Sequence, residues 1–399
     1  MKSLADIEGA RPYLVGNTLD RTADAMAYAA LGWLAAQGSP VDAALVLGLG
    51  AVPRVAMLSI GGVLADRLGL GQTAQWTLGA RLIVLGGLAV ALADGSAGVL
   101  ALACVAVALG IIDGIHIPAM VGLGGLIGQG PRMASLQGAL NMWGEAGEVL
   151  APVLAGWLLV GATVWLVPAM LVPSLIALAM IQAIAHLGNH VPETEEPAVG
   201  VWQAWREGVR AAAGLGPILA FACLVNALTT GPILGGAPML AAANDWGGSE
   251  YGLVVAAFSV GLGVGAAALA RWGDGVKRPQ PVAVGLVIPG ALVLGGFGVA
   301  HQWWAAAVIV LVCGAVFSPS IGLLMALIKT RTDPALMGRV MSLVQLGMLA
   351  GVPVSYAVLG SLVAGRGLAF AIASMSAALV IIAVSLLFST RLGARRARV

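Results

Sequence analysis

The chain has 399 residues, of which 60% are hydrophobic and only 10% are charged, with a formal net charge of +2. Soluble proteins carry about 25% charged residues. A soluble chain of this length could not bury so much apolar surface, so the composition indicates an integral membrane protein. The small net charge gives no reason to expect a nucleic-acid partner.

Successive apolar stretches are each close to the roughly 20 residues that a helix needs to cross a hydrocarbon core. Because a backbone in lipid must satisfy its own hydrogen bonds, these stretches predict an all-α fold of twelve transmembrane helices. The predicted spans lie near residues 12–37, 43–65, 73–93, 97–121, 134–160, 162–186, 216–242, 250–271, 281–300, 303–328, 339–364 and 367–389.

The basic residues predict the orientation. Most of the 20 lysines and arginines lie at the N-terminus, in even-numbered connections or in a basic C-terminal tail, whereas Arg366 lies in an odd-numbered connection. By the positive-inside rule, we expect both termini to be cytoplasmic in a multi-pass protein of the inner (plasma) membrane.

Landmarks recur about 200 residues apart. The pairs Pro118/Pro319 and Pro152/Pro353 are each separated by 201 positions, and residues 61–67 resemble residues 265–271. The repeat predicts two pseudo-symmetric six-helix bundles, 1–186 and 216–399. Residues 187–215 would form a cytoplasmic linker, with a short amphipathic helix near 201–210.

Eight charged residues lie too deep within the predicted spans to reach water, and all belong to the first half. A charged side chain at the centre of a membrane helix costs roughly 2.5–3.5 kcal/mol, so these side chains should face the bundle interior or a wet cavity. They are Asp20, Arg21, Asp24, Arg54, Arg81, Asp113, Glu145 and Glu148.

Helical spacing groups some of these residues. Asn141, Glu145 and Glu148 share one face of span 5. If both glutamates were ionised in a low dielectric they would repel, so one should hold a proton near neutral pH unless an arginine lies between them. We therefore expect at least one of Asp24, Glu145 and Glu148 to bind the proton or the solute.

Span 1 carries a comparable polar face, which comprises Asn17, Asp20 or Arg21, Asp24 and Tyr28. Structural ion pairs are the alternative to a coupling role. Arg54 could pair with Asp24 or Glu148, and Arg81 with Asp113. Asp113 and His116, three residues apart, could form a relay or a gate pair.

The second half offers uncharged polar groups such as Asn226 and Gln345. They could orient a solute in the cavity or form interhelical hydrogen bonds worth about 0.6 kcal/mol each. Three separated cysteines and four histidines give no metal motif, and no nucleophile motif is present. We therefore expect no metal, no cofactor and no enzymatic activity.

Two motifs carry a resemblance to a known family. Residues Gly62, Asp66, Arg67 and Gly69 follow the cytoplasmic signature of the major facilitator superfamily, although Leu70 replaces its usual second basic residue. Span 5 resembles the antiporter motif of that superfamily at Gly147, Ala151, Pro152 and Gly156, with alanine replacing glycine at two positions.

Further segments resemble the macrolide-efflux and enterobactin-exporter branch of twelve-helix drug:proton antiporters. They are Thr22-Ala23-Asp24, Val52-Pro53-Arg54, His116-Ile117-Pro118-Ala119 and Gly338-Arg339-Val340-Met341-Ser342. The resemblance implies a cytoplasmic gate at Asp66 and Arg67, and alternating access that exchanges protons for an exported amphipathic solute.

The expected partners are a small molecule, protons and the lipid bilayer, and we expect a monomer. An importer or facilitator of a metabolite or lipid is the first alternative function. A membrane-embedded enzyme or sensor is the second, more remote one.

Overall fold

The structure, a computed structural model, describes residues 9–127, 132–161, 163–188, 210, 213–332 and 337–396. These residues form helices joined by turns. The long helices are α1 (Ala10–Ala36), α2 (Pro40–Leu68), α3 (Leu70–Ala93), α4 (Val99–Ile127), α5 (Arg132–Gly161), α6 (Thr163–Ile184), α7 (Gly216–Ala243), α8 (Gly248–Trp272), α9 (Pro279–Gly295), α10 (Trp303–Arg331), α11 (Met337–Arg366) and α12 (Leu368–Arg396).

Ten of these helices, α2–α4 and α6–α12, are long and apolar enough to cross a membrane within the described part of the chain. Helix α1 carries charged residues along its middle, and α5 contains a shorter apolar segment, Gly147–Leu159. The prediction of an all-α membrane fold is confirmed, and each predicted span falls on one helix. The count of twelve spans and the cytoplasmic termini stay predictions.

The turn chemistry around α2 follows from its sequence. Ser39 caps the helix, because its Oγ accepts a hydrogen bond of 3.3 Å from the backbone N–H of Asp42, and Pro40 occupies the first turn. The helix ends at Gly69, whose φ of 90° is a conformation that side-chain-bearing residues avoid. Helix α3 begins at the next residue, so Gly69 makes the reversal between the two helices tight.

The chain divides into two compact units. Unit 1 comprises Met1–Thr194 and Ala241–Ala256, and unit 2 comprises Glu195–Leu240 and Ala257–Val399. In unit 1, α2 packs along α4, α1 against α5 and α6, and α3 against α4 and α6. In unit 2, α9 packs against α10 and α12, and α11 against α7. The predicted bundle boundaries stay predictions, and the proposed linker helix lies almost wholly outside the described residues.

Glycines allow close helix contacts at matching places in both units. A Cβ atom at Gly61 of α2 would lie 2.5 Å from the carbonyl oxygen of Gly114 in α4. In unit 2, a Cβ at Gly265 of α8 would lie 2.5 Å from the carbonyl oxygen of Ala315 in α10. Gly61 and Gly265 begin the two repeated segments, so the sequence repeat corresponds to a repeated helix contact.

Helix α7 contains a π-helical turn at Gly231–Gly235. Ser355 of α11 produces this irregularity: its Oγ accepts a hydrogen bond of 2.8 Å from the N–H of Gly231 and donates one to the carbonyl of Ala227. In a regular α-helix that N–H and that carbonyl would bond directly. The serine hydroxyl therefore inserts into the backbone ladder of α7, a known cause of helix distortion.

Candidate functional site

Charged side chains gather inside unit 1, where the first four helices meet. The charge cluster comprises Asp20 and Asp24 of α1, Arg54 of α2, Arg81 of α3 and Asp113 of α4. All five residues come from the predicted list of intramembrane charges. The side chains of Asp20, Arg81 and Asp113 are at most 7% exposed, so their charges depend on one another rather than on bulk water.

Arg81 is the centre of this cluster. Its Nη1 donates to Asp20 Oδ1, and its Nη2 donates to Asp113 Oδ1 at 2.5 Å. The same Nη2 lies 3.5 Å from Asp24 Oδ1. The predicted Arg81–Asp113 pair is confirmed. A single arginine thus ties α3 to acids on both α1 and α4.

Arg54 provides the second positive charge. Its Nη2 lies 3.5 Å from Asp24 Oδ2, and its Nη1 lies 3.9 Å from Asp113 Oδ2. The guanidinium also lies 5.4 Å from the ring centroid of Tyr28, whose hydroxyl donates a 2.8 Å hydrogen bond to Asp113 Oδ2. The predicted Arg54–Asp24 pair is confirmed, and Tyr28 contacts the cluster.

The alternative pair, Arg54 with Glu148, is wrong. Glu148 of α5 pairs with Arg21 of α1, whose Nε and Nη2 lie 3.1 Å and 2.5 Å from Oε1. Gly144 makes room for this arginine, because a Cβ there would lie 2.9 Å from the guanidinium carbon. Adjacent helix residues point about 100° apart, so Arg21 faces α5 while Asp20 faces α3 and α4.

His116 has a partner that its spacing did not predict. Its Nε2 lies 3.0 Å from Asp20 Oδ2, and its Nδ1 lies 2.7 Å from the hydroxyl of Thr77 in α3. The Asp113 carboxylate instead contacts Arg81, Arg54 and Tyr28. Thr77 was not among the predicted site residues. Its sequence signal is its position one helical turn before Arg81, on the same face of α3.

Three buried polar atoms of the cluster have no hydrogen-bond partner in the described part of the protein. They are Asp24 Oδ1, Arg54 Nε and Arg81 Nε. Asp24 is also the most exposed acid of the cluster, with 17% of its side chain accessible against 7% for Asp20 and 1% for Asp113. The cluster can therefore accept a further hydrogen-bonding group beside Asp24.

The remaining predicted site residues are on α1 and α5 of unit 1 and on α7 and α11 of unit 2. Asn17 is half-buried on α1, whereas the side chains of Asn141 and Glu145 on α5 lie outside the described part. In unit 2, the amide nitrogen of Asn226 donates a 2.9 Å hydrogen bond to the carbonyl of Met348, and Gln345 is exposed. Asn226 therefore links α7 to α11.

The gate motif lies at the end of α2. Arg67 is exposed, and Gly62 has open space beside it, since a Cβ there would meet no atom within 4 Å. Gly69 makes the turn described above. The side chain of Asp66 lies outside the described part, so its predicted role in the gate stays a prediction.

The residues of the antiporter motif pack α5 closely against its neighbours in unit 1. Gly147 faces Thr22 of α1, whose hydroxyl occupies the space that a Cβ would need. A Cβ at Gly156 would lie 3.0 Å from the Cα of Gly252 in α8. Ala151 is fully buried, and Pro152 lies inside the helix. The motif positions thus serve close helix packing.

Residues 219–398 match the Major Facilitator Superfamily. A solved peptide transporter, POT, superposes with a TM-score of 0.74 at 16% identity, covering 97% of this chain and 95% of that one. The chain has the major facilitator fold. No curated protein sequence is significantly similar to it.

Two further transporters share the major facilitator fold with this chain. A bacterial homologue of the human lysosomal transporter Spinster has a TM-score of 0.69 at 14% identity and covers 96% of each chain. The nucleoside transporter NupG has a TM-score of 0.66 at 12% identity, covering 96% of this chain and 99% of that one. The family that residues 219–398 match and the solved structures that share the fold are transporters. Among the described residues, no group of histidine, cysteine and acidic side chains could hold a metal ion.

Proposed function

We propose that this protein is a proton-coupled antiporter of the inner membrane that exports a small amphipathic solute by alternating access. Three carboxylates facing two guanidiniums in the buried charge cluster carry the proposal. Both termini would be cytoplasmic, and the protein would act as a monomer. The antiporter motif in α5 supports antiport, and the resemblance of several segments to an efflux branch supports export.

The charge balance of the cluster supports proton binding. Two arginines neutralise two of its three acids, so one negative charge remains while His116 is neutral. An uncompensated charge in a buried site costs several kcal/mol, which a bound proton or cation would remove. The Arg21–Glu148 pair is balanced in itself, so it does not supply the missing positive charge.

Asp24 is the candidate for the group that meets the solute. Its closest arginine contacts are both 3.5 Å, whereas Asp113 contacts Arg81 at 2.5 Å. Its Oδ1 has no hydrogen-bond partner in the described part of the chain. An acid that is loosely held and partly accessible can exchange a proton or bind a cation with little rearrangement of its neighbours.

A proton-coupled importer of a metabolite is the second candidate. The names of two structural neighbours, a peptide transporter and a nucleoside transporter, support a metabolite as the solute. The charge cluster would serve either direction, because a proton site open alternately to each side drives symport as well as antiport.

Transport into inside-out membrane vesicles with an acidic lumen distinguishes the two directions. A panel of cationic, neutral and anionic amphipathic solutes is added outside, with empty-vector vesicles and a protonophore as controls. An exporter accumulates its solute in the lumen as protons leave, and the protonophore abolishes the accumulation. Release of a preloaded solute, driven by the same gradient, would contradict export and favour the importer.

A further inference from the structure

A buried line of polar groups leads from the charge cluster into α3. It runs from Asp20 through His116 to Thr77, and all three residues are buried. His116 Nε2 lies 3.0 Å from Asp20 Oδ2, and His116 Nδ1 lies 2.7 Å from the Thr77 hydroxyl. Both ring nitrogens of this histidine therefore have partners inside the protein.

Two arrangements of hydrogen atoms give both ring nitrogens of His116 a hydrogen-bond partner. The Thr77 hydroxyl has one hydrogen, and its oxygen lies 2.8 Å and 2.9 Å from the carbonyls of Thr73 and Ala74. When the hydroxyl points at a carbonyl, Nδ1 must donate to its oxygen. Because Asp20 is a carboxylate paired with Arg81, Nε2 must also carry a hydrogen to bond with it. The ring is then doubly protonated.

The second state needs only a rotation of the same hydroxyl. When Thr77 donates to Nδ1, the hydrogen on Nε2 is donated to Asp20, and the imidazole is neutral. No heavy atom has to move, and no polar atom of the ring is left unpaired in either state.

The formal charges around His116 do not balance while its ring is neutral. The groups near His116 on the adjoining helices are those of the charge cluster: Asp20 and Asp24 of α1, Arg54 of α2 and Arg81 of α3, together with Asp113 of its own helix. Their sum is one negative charge, and a proton on His116 brings the cluster to neutrality.

We propose that His116 is a proton-binding residue of this transporter, with the Thr77 hydroxyl as the rotor that accommodates both of its protonation states. The proposal rests on the proposed proton-coupled function and adds a site to it. When a proton or a cationic solute neutralises Asp24, the charges of the cluster balance without a proton on His116. Asp24, which is partly accessible, and the buried histidine are thereby linked through charge although they do not touch.

Nitrogen-15 NMR of histidine-labelled protein in nanodiscs tests this directly. The chain has four histidines, so His116→Gln identifies the signal by its loss. We expect both ring nitrogens of His116 to carry hydrogen at the acidic end of the range from about pH 5 to 8. At the same pH, Asp24→Asn should remove the doubly protonated signal, and Thr77→Val should weaken it. Asp94→Asn, at an exposed position beyond α3, is the matched control and should leave it unchanged.

Two results overturn the proposal. One is a single hydrogen on the His116 ring at every pH in that range, and the other is an unchanged doubly protonated signal in Asp24→Asn. The spectrum requires no transport, so either result leaves proton-coupled export standing if the vesicle assay supports it. Conversely, a protonated His116 in a protein that moves no solute under a proton gradient contradicts the proposed function alone.

Discussion

Replacing Arg81 by methionine should destabilise the protein strongly. The side chain is 3% exposed and holds Asp20 and Asp113 by hydrogen bonds, with Asp24 3.5 Å away. Methionine keeps the length and fills much of the volume, but Asp20 loses its only arginine contact in the described structure. Removing one partner of a buried ion pair costs about 3–5 kcal/mol, and we expect a loss in this range.

Urea unfolding of purified protein in detergent micelles, followed by tryptophan fluorescence, measures the change through the midpoint. Arg271→Met, at an exposed arginine in the last turn of α8, is the control and should shift stability by no more than about 0.5 kcal/mol. Adding Asp20→Asn to Arg81→Met should recover about 1–3 kcal/mol, because an amide tolerates burial better than an unpaired carboxylate. Equal midpoints for Arg81→Met and the wild type would refute the central role of Arg81.

Further predictions concern helix packing, and thermal unfolding in micelles tests them. Gly61→Ala should cost about 1–3 kcal/mol, because its methyl group would press on the α4 backbone. Gly62→Ala is the control and should be neutral or slightly stabilising, because the space around Gly62 is open. Equal losses of stability in the two variants would contradict the close contact between Gly61 and α4. Ser355→Ala should cost about 1–3 kcal/mol by leaving the Gly231 N–H without its partner. Ser361→Ala is the control and should match the wild type, because the exposed Ser361 hydroxyl bonds to a carbonyl of its own helix. If Ser355→Ala also matches the wild type, the π-helical turn does not depend on the serine hydroxyl.

The helices of this fold could be predicted from the sequence because membrane spans depend on local composition. A run of about 20 apolar residues must become a helix in lipid, whatever surrounds it. Loop charges likewise predict an orientation without knowledge of helix contacts. The repeat was visible in the sequence because Gly61 and Gly265 each allow a neighbouring helix to approach closely, which requires a small residue at both positions.

The partners of the charged residues were only partly predictable. Matching opposite charges at similar depth predicted the Arg81–Asp113 pair and offered Asp24 as one of two partners for Arg54. The Arg21–Glu148 pair was not predicted, because spacing places a residue on a helix face but does not say which neighbouring helix that face meets. Asp20 and Arg21, adjacent in sequence, illustrate this.

Two further contacts could not be predicted from the sequence, because they depend on which helices meet in the folded protein. His116 was associated with Asp113 by its spacing, yet the crossing of α1 and α4 brings it to Asp20. Ser355 reads as an ordinary polar residue in a membrane helix. Only its position beside Gly231 reveals that it enters the backbone ladder of α7.

The most direct test of proton-coupled export is solute accumulation in proteoliposomes under an imposed pH gradient, comparing Asp24→Asn with Asp94→Asn. Both changes replace an aspartate by its amide, one in the charge cluster and one at an exposed loop position. If export is coupled to protons through Asp24, gradient-driven accumulation is lost in Asp24→Asn and retained in Asp94→Asn. Accumulation at the wild-type rate in Asp24→Asn would contradict proton coupling through Asp24.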